Sequence, residues 1–285
     1  MKKILITGGA GYIGSHTAVE LWNAGLEPII LDDFSNSHDT VLDRLEEITG
    51  KRFAFYKGDC NQREILDQIA QDHQLAGVIH FAAFKAVGES TQQPLAYYKN
   101  NLGSLLVLLE FMQEKGIQNI VFSSSCTVYG QPDVLPVTEA TPRKDAESPY
   151  GNTKKIGEDI LVDYVKSKPG IRVAALRYFN PVGAHPSAKI GELPMGTPQN
   201  LVPFLTQTAA GIRAKLTVFG NDYDTPDGSC VRDYIHVVDL ADAHVKALSF
   251  LFEKPLDFYD VFNVGTGKGN TVLEVIHAFE QVNGL

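Results

Sequence analysis

Tyr150 and Lys154 are the pair of side chains in this sequence with the clearest chemical use. Residues four apart are neighbours on a helix, so the lysine ammonium can lie beside the tyrosine oxygen. A free tyrosine has a pKa of about 10 and needs a depression of roughly three units to act as a base at pH 7. A nearby cation acts in that direction. The spacing therefore predicts a helix whose tyrosine removes a proton from a bound hydroxyl group.

A second pair, Tyr164 with Lys168, has the same spacing on the same predicted helix. It lies roughly 21 Å further along, at 1.5 Å per residue, so only one pair can face a given substrate. Tyr150 stands at the helix start, downstream of a strand that ends at Ser125, whose hydroxyl can bond both substrate and phenol. We predict Ser125, Tyr150 and Lys154 as catalytic residues, and Tyr164 as a surface residue.

A glycine-rich stretch follows the first apolar run and opens a helical pattern, with Gly8, Gly11 and Gly14 among its glycines. Glycines let backbone N–H groups at the positive end of a helix approach a pyrophosphate. Asp32 ends the next strand, where a carboxylate accepts bonds from ribose hydroxyls and repels a 2′-phosphate. The motif and the acid together indicate a dinucleotide site that favours NAD over NADP, with Asp33 able to share or take the role.

Other motifs are incomplete. Residues 265–269 lack the first glycine and the Ser/Thr of a phosphate-binding P-loop, and residues 222–228 lack the glutamate that closes a calcium loop. No histidine or cysteine spacing fits zinc, and no G-x-S-x-G motif supports a hydrolase. The cysteines, Cys60, Cys126 and Cys230, contain no C-x-x-C pair and fit a reducing compartment. We predict no metal.

The composition sets further bounds. The chain has 285 residues, 44% hydrophobic content and a formal net charge of -9, without a run rich in lysine and arginine. Such a chain can build a sizeable core, and it presents no basic surface for nucleic acid. No apolar run has the length of a signal peptide or of a membrane span. We therefore expect a soluble, cytoplasmic protein that binds neither nucleic acid nor membrane.

Strand and helix patterns alternate through the first two-thirds of the chain. Strands are predicted at 3–7, 28–31, 53–57, 77–82, 119–124 and 172–178, and helices at 12–24, 94–114 and 149–168. This alternation predicts an α/β fold, a Rossmann-type doubly wound parallel sheet with helices on both faces. A smaller C-terminal substrate-binding lobe is expected to follow.

The pattern becomes irregular after Asn180, where prolines and glycines accumulate. We predict an NAD-binding Rossmann domain over 1–179 and the smaller lobe over 180–285. The amphipathic helix at 237–252 and the apolar run at 261–265 are expected to return to the first domain, so that 237–265 belongs with it.

Several segments closely resemble the UDP-glucose 4-epimerases, a family of extended short-chain dehydrogenases. They are TGGAGYIGSH at 7–16, FAAFKAVGES at 81–90, SSSCTVYG at 123–130, SPYGNTKK at 148–155, YFNPVGAHP at 178–186 and VRDYIHVVDLADAH at 231–244. The resemblance implies an isomerase of galactose metabolism that interconverts UDP-glucose and UDP-galactose with tightly bound NAD, and that works as a homodimer. Tyr150 would remove the proton of the sugar 4-hydroxyl while hydride passes from C4 to NAD, and the 4-ketopyranose would rotate before hydride returns.

The resemblance also implies two sets of binding residues. Besides Tyr150, Lys154 and the glycines, the cofactor set is Tyr12, Ile13, Asp32, Asp33, Phe34, Ser35, Asn36, Ser37, Asp59, Cys60, Phe81, Ala82, Ala83, Lys85, Asn100 and Phe179. The substrate set is Lys85, Ser125, Tyr150, Tyr178, Asn180, Asn200, Leu201, a strand of Thr217, Val218 and Phe219, and Arg232. Arg232 would supply positive charge to a phosphate.

Related activities are alternatives. Sugar-nucleotide dehydratases and decarboxylases with the same pair carry an acid after the serine, whereas Cys126 and Thr127 follow Ser125 here, which favours the epimerase. Asp32 disfavours an NADPH-consuming reductase. Two alternatives stay open: an epimerase of N-acetylated UDP-hexoses, and a catalytically weak NAD-binding homologue. An NAD-sensing or partner-binding protein is a further class, against which the intact catalytic residues argue.

Members of the resembled family run on for tens of residues past the position of Leu285. That part supplies a second phosphate-binding arginine and the residue that controls access of N-acetylated sugars. We therefore expect a C-terminally short substrate lobe, NAD binding that survives, and weakened affinity for UDP-sugars together with weakened turnover. The helices at 94–114 and 149–168 are candidates for a four-helix dimer interface, although packing on the sheet explains their apolar faces equally well.

Overall fold

The computed structural model describes residues 1–285, and its strands are short runs rich in apolar and β-branched residues. The strands are β1 Lys3–Thr7, β2 Glu27–Asp32, β3 Ala54–Lys57, β4 Leu75–His80, β5 Asn119–Ser125, β6 Arg172–Tyr178, β7 Asn180–Val182, β8 Val231–His236, β9 Phe258–Val264 and β10 Gly269–Thr271. The helices are α1 Tyr12–Asn23, α2 Thr40–Thr49, α3 Arg63–Asp72, α4 Val87–Gln92, α5 Pro94–Lys115, α6 Pro149–Lys166, α7 Leu201–Ala209, α8 Val237–Phe252 and α9 Val272–Asn283.

Seven strands form a parallel sheet in the order β3-β2-β1-β4-β5-β6-β9. Its central strands are apolar on both faces; Ile4, Leu5 and Ile6 of β1 are fully buried. That burial is expected when helices cover both sides of a parallel sheet. The doubly wound Rossmann-type fold predicted from the sequence is confirmed.

The two faces of the sheet carry separate hydrophobic clusters. One joins the sheet to α1 and α8, through residues such as Leu21 and Leu248. The other joins it to α3, α5 and α6, through residues such as Leu108 and Leu161. The order of the strands reverses at β1, since the chain leaves β3 at one edge and re-enters at β4 on the other side of β1. Ligands of such sheets bind at the carboxyl edge beside this reversal.

The remaining strands form a small sheet in the order β10-β8-β7. From the small sheet the chain returns to the large one through α8, which packs on α1. It then forms β9, which pairs with β6 over the full length of both strands. The predicted division of the chain into two domains at residue 180 stays a prediction. None of the nine helices combines the length and the apolar character that crossing a bilayer requires.

Residues 217–219 do not form the strand that the sequence analysis expected. The physical reason is that residues 217–219 make no backbone hydrogen bond to another segment, so no ladder forms. Phe219 is 82% exposed as a result. This segment therefore lies in irregular structure outside the small sheet.

Candidate active site

A long cleft runs along the carboxyl edge of the sheet, from the turn after β1 to the segment after β6. Its cavity of about 360 Å3 is within the range of small-molecule sites. Most of the predicted site residues line it: Gly8, Gly11, Tyr12, Ile13, Asp32, Asp33, Ser35, Asn36, Ser37, Asp59, Cys60, Phe81, Ala82, Ala83, Lys85, Asn100, Ser125, Tyr150, Lys154, Tyr178, Phe179, Asn180 and Asn200. One concave surface thus brings together residues from widely separated parts of the chain.

The turn between β1 and α1 is shaped by two glycines. Gly8 has φ +70, and a Cβ there would stand 2.9 Å from the backbone nitrogen of Ala82. A Cβ on Gly14 would stand 2.3 Å from the carbonyl oxygen of Gly8. Gly14 itself lies beneath the turn and does not line the cleft. No side chain caps α1, so the amides of its first turn are available to an anionic ligand.

Asp32 is the buried acid of this half of the cleft, 8% exposed. Its Oδ1 accepts hydrogen bonds from the Phe34 amide at 2.9 Å and the Ser37 hydroxyl at 2.7 Å. Its Oδ2 accepts one, from the Ala10 amide at 3.0 Å, and keeps capacity for another donor. Asp33 is exposed and accepts from the Ser35 amide. Phe34 lies outside the cavity lining and stacks on Phe55.

The catalytic residues predicted from the sequence meet in the other half of the cleft. Ser125 ends β5, and Tyr150 and Lys154 lie on the first turns of α6, which Ser148 caps by accepting a bond from the Gly151 amide. The Lys154 ammonium lies 5.9 Å from the centre of the Tyr150 ring and donates to the Ser123 carbonyl at 2.7 Å. All three side chains therefore face one region of the cavity.

The pKa values here are controlled by burial. Burial lowers the pKa of Lys154 to about 8. Burial also raises the pKa of Tyr150, and the neighbouring Ser125 hydroxyl opposes that rise only in part. The groups of the chain alone leave this pKa raised, because removing a phenolate from water outweighs its hydrogen bond; the depression expected from the sequence also depends on the charge of an oxidised nicotinamide. A further positive charge is required.

The segment after β6 brings polar groups to the end of the cleft. The Tyr178 hydroxyl bonds to the Ser123 hydroxyl, and the Asn180 amide donates to the Asp233 carbonyl at 3.0 Å. Asn200 precedes α7, and its amide donates to Glu192 at 2.6 Å. Lys85 lies 3.4 Å from the same carboxylate. These groups can meet the polar parts of a second ligand beside the dinucleotide.

Five residues of the predicted substrate set do not line the cleft: Leu201, Thr217, Val218, Phe219 and Arg232. Leu201 begins α7 immediately after Asn200, so the lining ends one residue before it. Residues 217–219 lie in the irregular segment described above. Arg232 is exposed on β8 and donates to the Val231 carbonyl. Its positive charge opposes the rise that burial causes in the pKa of the cavity-lining Cys126. Arg232 therefore belongs to the surroundings of the cleft.

Glu192 is a residue that the sequence analysis missed. Its side chain is 9% exposed, lines the cavity, and contacts both Lys85 and Asn200. It lies among glycines and prolines in a loop without periodicity, where nothing distinguishes it from a solvated acid. Only the fold brings that loop against the turn after β4.

The chain is similar along almost its whole length to known epimerases. The profile of the NAD dependent epimerase/dehydratase family matches residues 4–265. A UDP-glucose 4-epimerase of Bacillus subtilis is 54% identical over 99% of this chain and 82% of the relative. A Bifidobacterium longum UDP-glucose 4-epimerase solved with NAD+ and UDP has a TM-score of 0.95 and 47% identity, covering 99% of this chain and 84% of that one.

A third relative is the UDP-glucose-4-epimerase of Stenotrophomonas maltophila, solved with bound NAD and formylated UDP-arabinopyranose. It has a TM-score of 0.96 and 48% identity, covering 100% of this chain and 84% of that one. Both the family profile and these relatives extend over the glycine-rich turn, Asp32, Ser125, Tyr150 and Lys154. The chain belongs to the NAD dependent epimerase/dehydratase family.

Proposed function

We propose that this chain is an isomerase of galactose metabolism that interconverts UDP-galactose and UDP-glucose. The observation that carries the proposal is the meeting of Ser125, Tyr150 and Lys154 at one end of a cleft whose other end is a glycine-rich turn beside a buried acid. Relatives with the name UDP-glucose 4-epimerase, among them one 54% identical, support it. They favour this activity over the alternatives left open by the sequence.

NAD is the cofactor, and the residues present fit it. At Gly8 and Gly14 neighbouring backbone atoms lie so close that no side chain would fit. No side chain caps the start of α1, and the Asp32 Oδ2 can accept one further hydrogen bond. Together these suit a pyrophosphate and an adenosine ribose. When bound, NAD supplies a hydride acceptor and donor for sugar C4 and a positive charge near the phenol.

Tyr150 is the acid–base residue of the proposed reaction. Its phenol oxygen takes the proton of the sugar 4-hydroxyl and gives it back once the sugar has turned its other face to the cofactor. Ser125 bonds to the same hydroxyl and provides a path for the proton. Lys154 contributes positive charge beside the ring; with a pKa of about 8 it is mostly protonated at neutral pH.

We assign recognition of the UDP-sugar to cleft-lining groups in the turn after β4, at the end of β6 and in the segment that follows β6. Lys85 offers positive charge to the diphosphate, while the amides of Asn180 and Asn200 offer hydrogen-bond donors. The Tyr178 hydroxyl, which is held by its hydrogen bond to the Ser123 hydroxyl, would lie at the hexose end of the cleft. Arg232 would have to reach the nucleotide from outside the lining.

We further propose that the enzyme works in the cytoplasm as a homodimer. The support is the resemblance to the family, together with exposed apolar side chains on α5: Leu95 is 81% exposed and Leu106 is 47% exposed. Sedimentation analysis tests the assembly, with a dimer mass expected and a monomer mass contradicting it.

The test of the function is to incubate the purified protein with UDP-galactose, without added nucleotide, and to follow UDP-glucose. We expect conversion, because the bound NAD is regenerated in each cycle. Tyr150→Phe should abolish it while keeping bound NAD. Tyr164→Phe is the matched control: this tyrosine is on the same helix, outside the cleft, and its hydroxyl donates to Gln113.

Two results would contradict the proposal. The first is the absence of conversion by a folded protein that carries NAD. The second is equal activity in the Tyr150→Phe and Tyr164→Phe variants. A parallel incubation with UDP-N-acetylgalactosamine distinguishes the related epimerase, since preferred turnover of that sugar would assign the chain to the N-acetylated class.

A further inference from the structure

A buried ion pair lies beneath the catalytic half of the cleft. Glu158 of α6 and Arg177 of β6 are joined by two hydrogen bonds, of 2.9 Å from Nε to Oε1 and 2.6 Å from Nη2 to Oε2. Their side chains are only 1% and 5% exposed. Neither residue lines the cavity. The pair is therefore well placed to hold the surrounding elements and is out of reach of a bound ligand.

Glu158 anchors α6 to β5. Its Oε1 accepts a hydrogen bond from the Ser124 hydroxyl at 2.5 Å. One turn earlier on the same helix, Lys154 donates to the carbonyl of Ser123 at 2.7 Å. Successive turns of α6 are thus fixed to successive residues of β5, and both anchors come immediately before Ser125.

Arg177 anchors the segment that follows Ser125. Its Nη1 donates to the Tyr129 hydroxyl at 2.9 Å, and that hydroxyl donates to Asn263 of β9 at 2.6 Å. Tyr129 ends the single 3-10 turn that begins directly after Ser125. The same ion pair consequently holds the chain on both sides of Ser125 and also holds the helix that carries Tyr150 and Lys154.

We propose that Glu158 and Arg177 are a positioning pair for the proposed reaction. They fix the positions of Tyr150 and Lys154 relative to Ser125, and they touch neither substrate nor cofactor. The inference rests on the proposed function, because it concerns the proton-transfer step of that reaction. A displacement of about 1 Å in a reacting group can cost roughly 10²-fold in rate. A buried ion pair is often replaceable by apolar residues without loss of stability, so stability alone does not require it.

Two variants test the proposal. Ser124→Ala removes one anchor and leaves the ion pair intact. The double variant Glu158→Met with Arg177→Met replaces the pair by apolar side chains of similar length, which keeps the core filled. Arg143 also donates to Glu158, at 3.3 Å, so the matched control is Asp163→Asn: Asp163 lies on α6 as well, but it is largely exposed and pairs with Lys166. The measurements are kcat, KM for UDP-galactose, bound NAD and urea unfolding.

We expect kcat to fall about tenfold in Ser124→Ala and roughly 10²-fold in the double variant, with KM and bound NAD unchanged. The Asp163→Asn variant should behave like the unmodified protein. Unchanged kcat in Ser124→Ala, or in a folded double variant, overturns the inference. A loss of bound NAD or of folding that accounts for the lost activity also overturns the inference, because the role of the ion pair would then be structural. Absence of turnover in the unmodified protein contradicts the proposed function itself and is seen before any variant is compared.

Discussion

Lys154 is a buried lysine that keeps its positive charge at neutral pH. Its side chain is 5% exposed, and its ammonium donates to one carbonyl oxygen, that of Ser123. Burial lowers its pKa to about 8, yet the group remains mostly charged at neutral pH. Its charge adds to the effect of burial in lowering the pKa of the neighbouring His80. The same charge is available to favour a phenolate at Tyr150.

Replacement of Lys154 by methionine should make the reaction depend on higher pH. A positive charge within about 6 Å of an acid lowers the acid's pKa by roughly 1–3 units, so its loss should move the kcat–pH profile upward by that amount. At pH 7 this corresponds to a kcat reduced by about 10- to 10³-fold. The measurement is kcat for UDP-galactose between pH 6 and pH 9.

Lys155→Met is the matched control for this experiment. Lys155 is the next residue of the same helix, but its ammonium donates to the Lys144 carbonyl at 2.8 Å and it does not line the cleft. Its profile should superimpose on that of the unmodified protein. Identical profiles for Lys154→Met and Lys155→Met would contradict the assigned role of the charge.

Residues whose chemistry depends on local spacing are the ones that the sequence predicts. The Tyr150–Lys154 pair and the glycine-rich turn follow from helix periodicity and from the need for backbone to approach a pyrophosphate. Glu192 could not be found in this way, because its contacts with Lys85 and Asn200 join separate parts of the chain.

At the scale of elements, the turn between β1 and α1 tolerates little change. The nearest atom to an added Cβ on Gly14 is the carbonyl oxygen of Gly8, at 2.3 Å, and both groups belong to backbone. A flexible side chain could move away from such a contact, whereas this backbone cannot without displacing α1 from the strand. The position of α1 therefore depends on the glycine.

Gly14→Ala should consequently lose bound NAD and unfold more easily. Overpacking of this kind costs about 1–3 kcal/mol in the free energy of unfolding. The measurements are NAD released on denaturation and urea unfolding of the purified variant. Gly88→Ala is the control, because nothing lies within 4 Å of a Cβ at Gly88 and its φ is ordinary. Retention of NAD by Gly14→Ala would contradict the assigned role of the turn.

The elements predicted best are those with long periodic patterns. The bounds of β6 and α8 agree with the sequence analysis, residues 172–178 and 237–252. The short strands β7 and β10 and the polar strand β8 were not found, since three residues, or a sequence such as VRDYIH, carry no clear alternation. Conversely, the strand at 217–219 that the resemblance implied does not form, because these residues make no backbone hydrogen bond to another strand.

At the scale of the whole molecule, three histidines are buried in neutral form around the sheet. Burial lowers the pKa of His16 to about 4, of His80 to about 3 and of His244 to about 4, from an ordinary 6.5. They lie on α1, β4 and α8. As pH falls below 6.5, the unfolded chain therefore binds protons that the folded chain does not, and stability must fall with pH.

Acidification from pH 6.5 to pH 5 should lower the free energy of unfolding progressively. Each histidine contributes a slope that approaches about 1.4 kcal/mol per pH unit once its unfolded form is fully protonated. Urea unfolding at several pH values measures it. His244→Phe should reduce the slope, because it removes one of the three buried histidines. A free energy of unfolding that stays constant over this interval would contradict the neutral burial of these residues.

The central claim of the account is transient oxidation at sugar C4 by a cofactor that stays bound. It is tested most directly with UDP-galactose carrying deuterium at C4, incubated with the purified protein in ordinary water without added NAD. The account predicts UDP-glucose with the deuterium still at C4, because the hydrogen removed as hydride returns to the same carbon. Deuterium lost to the solvent, with hydrogen from water at C4 of the product, would contradict it.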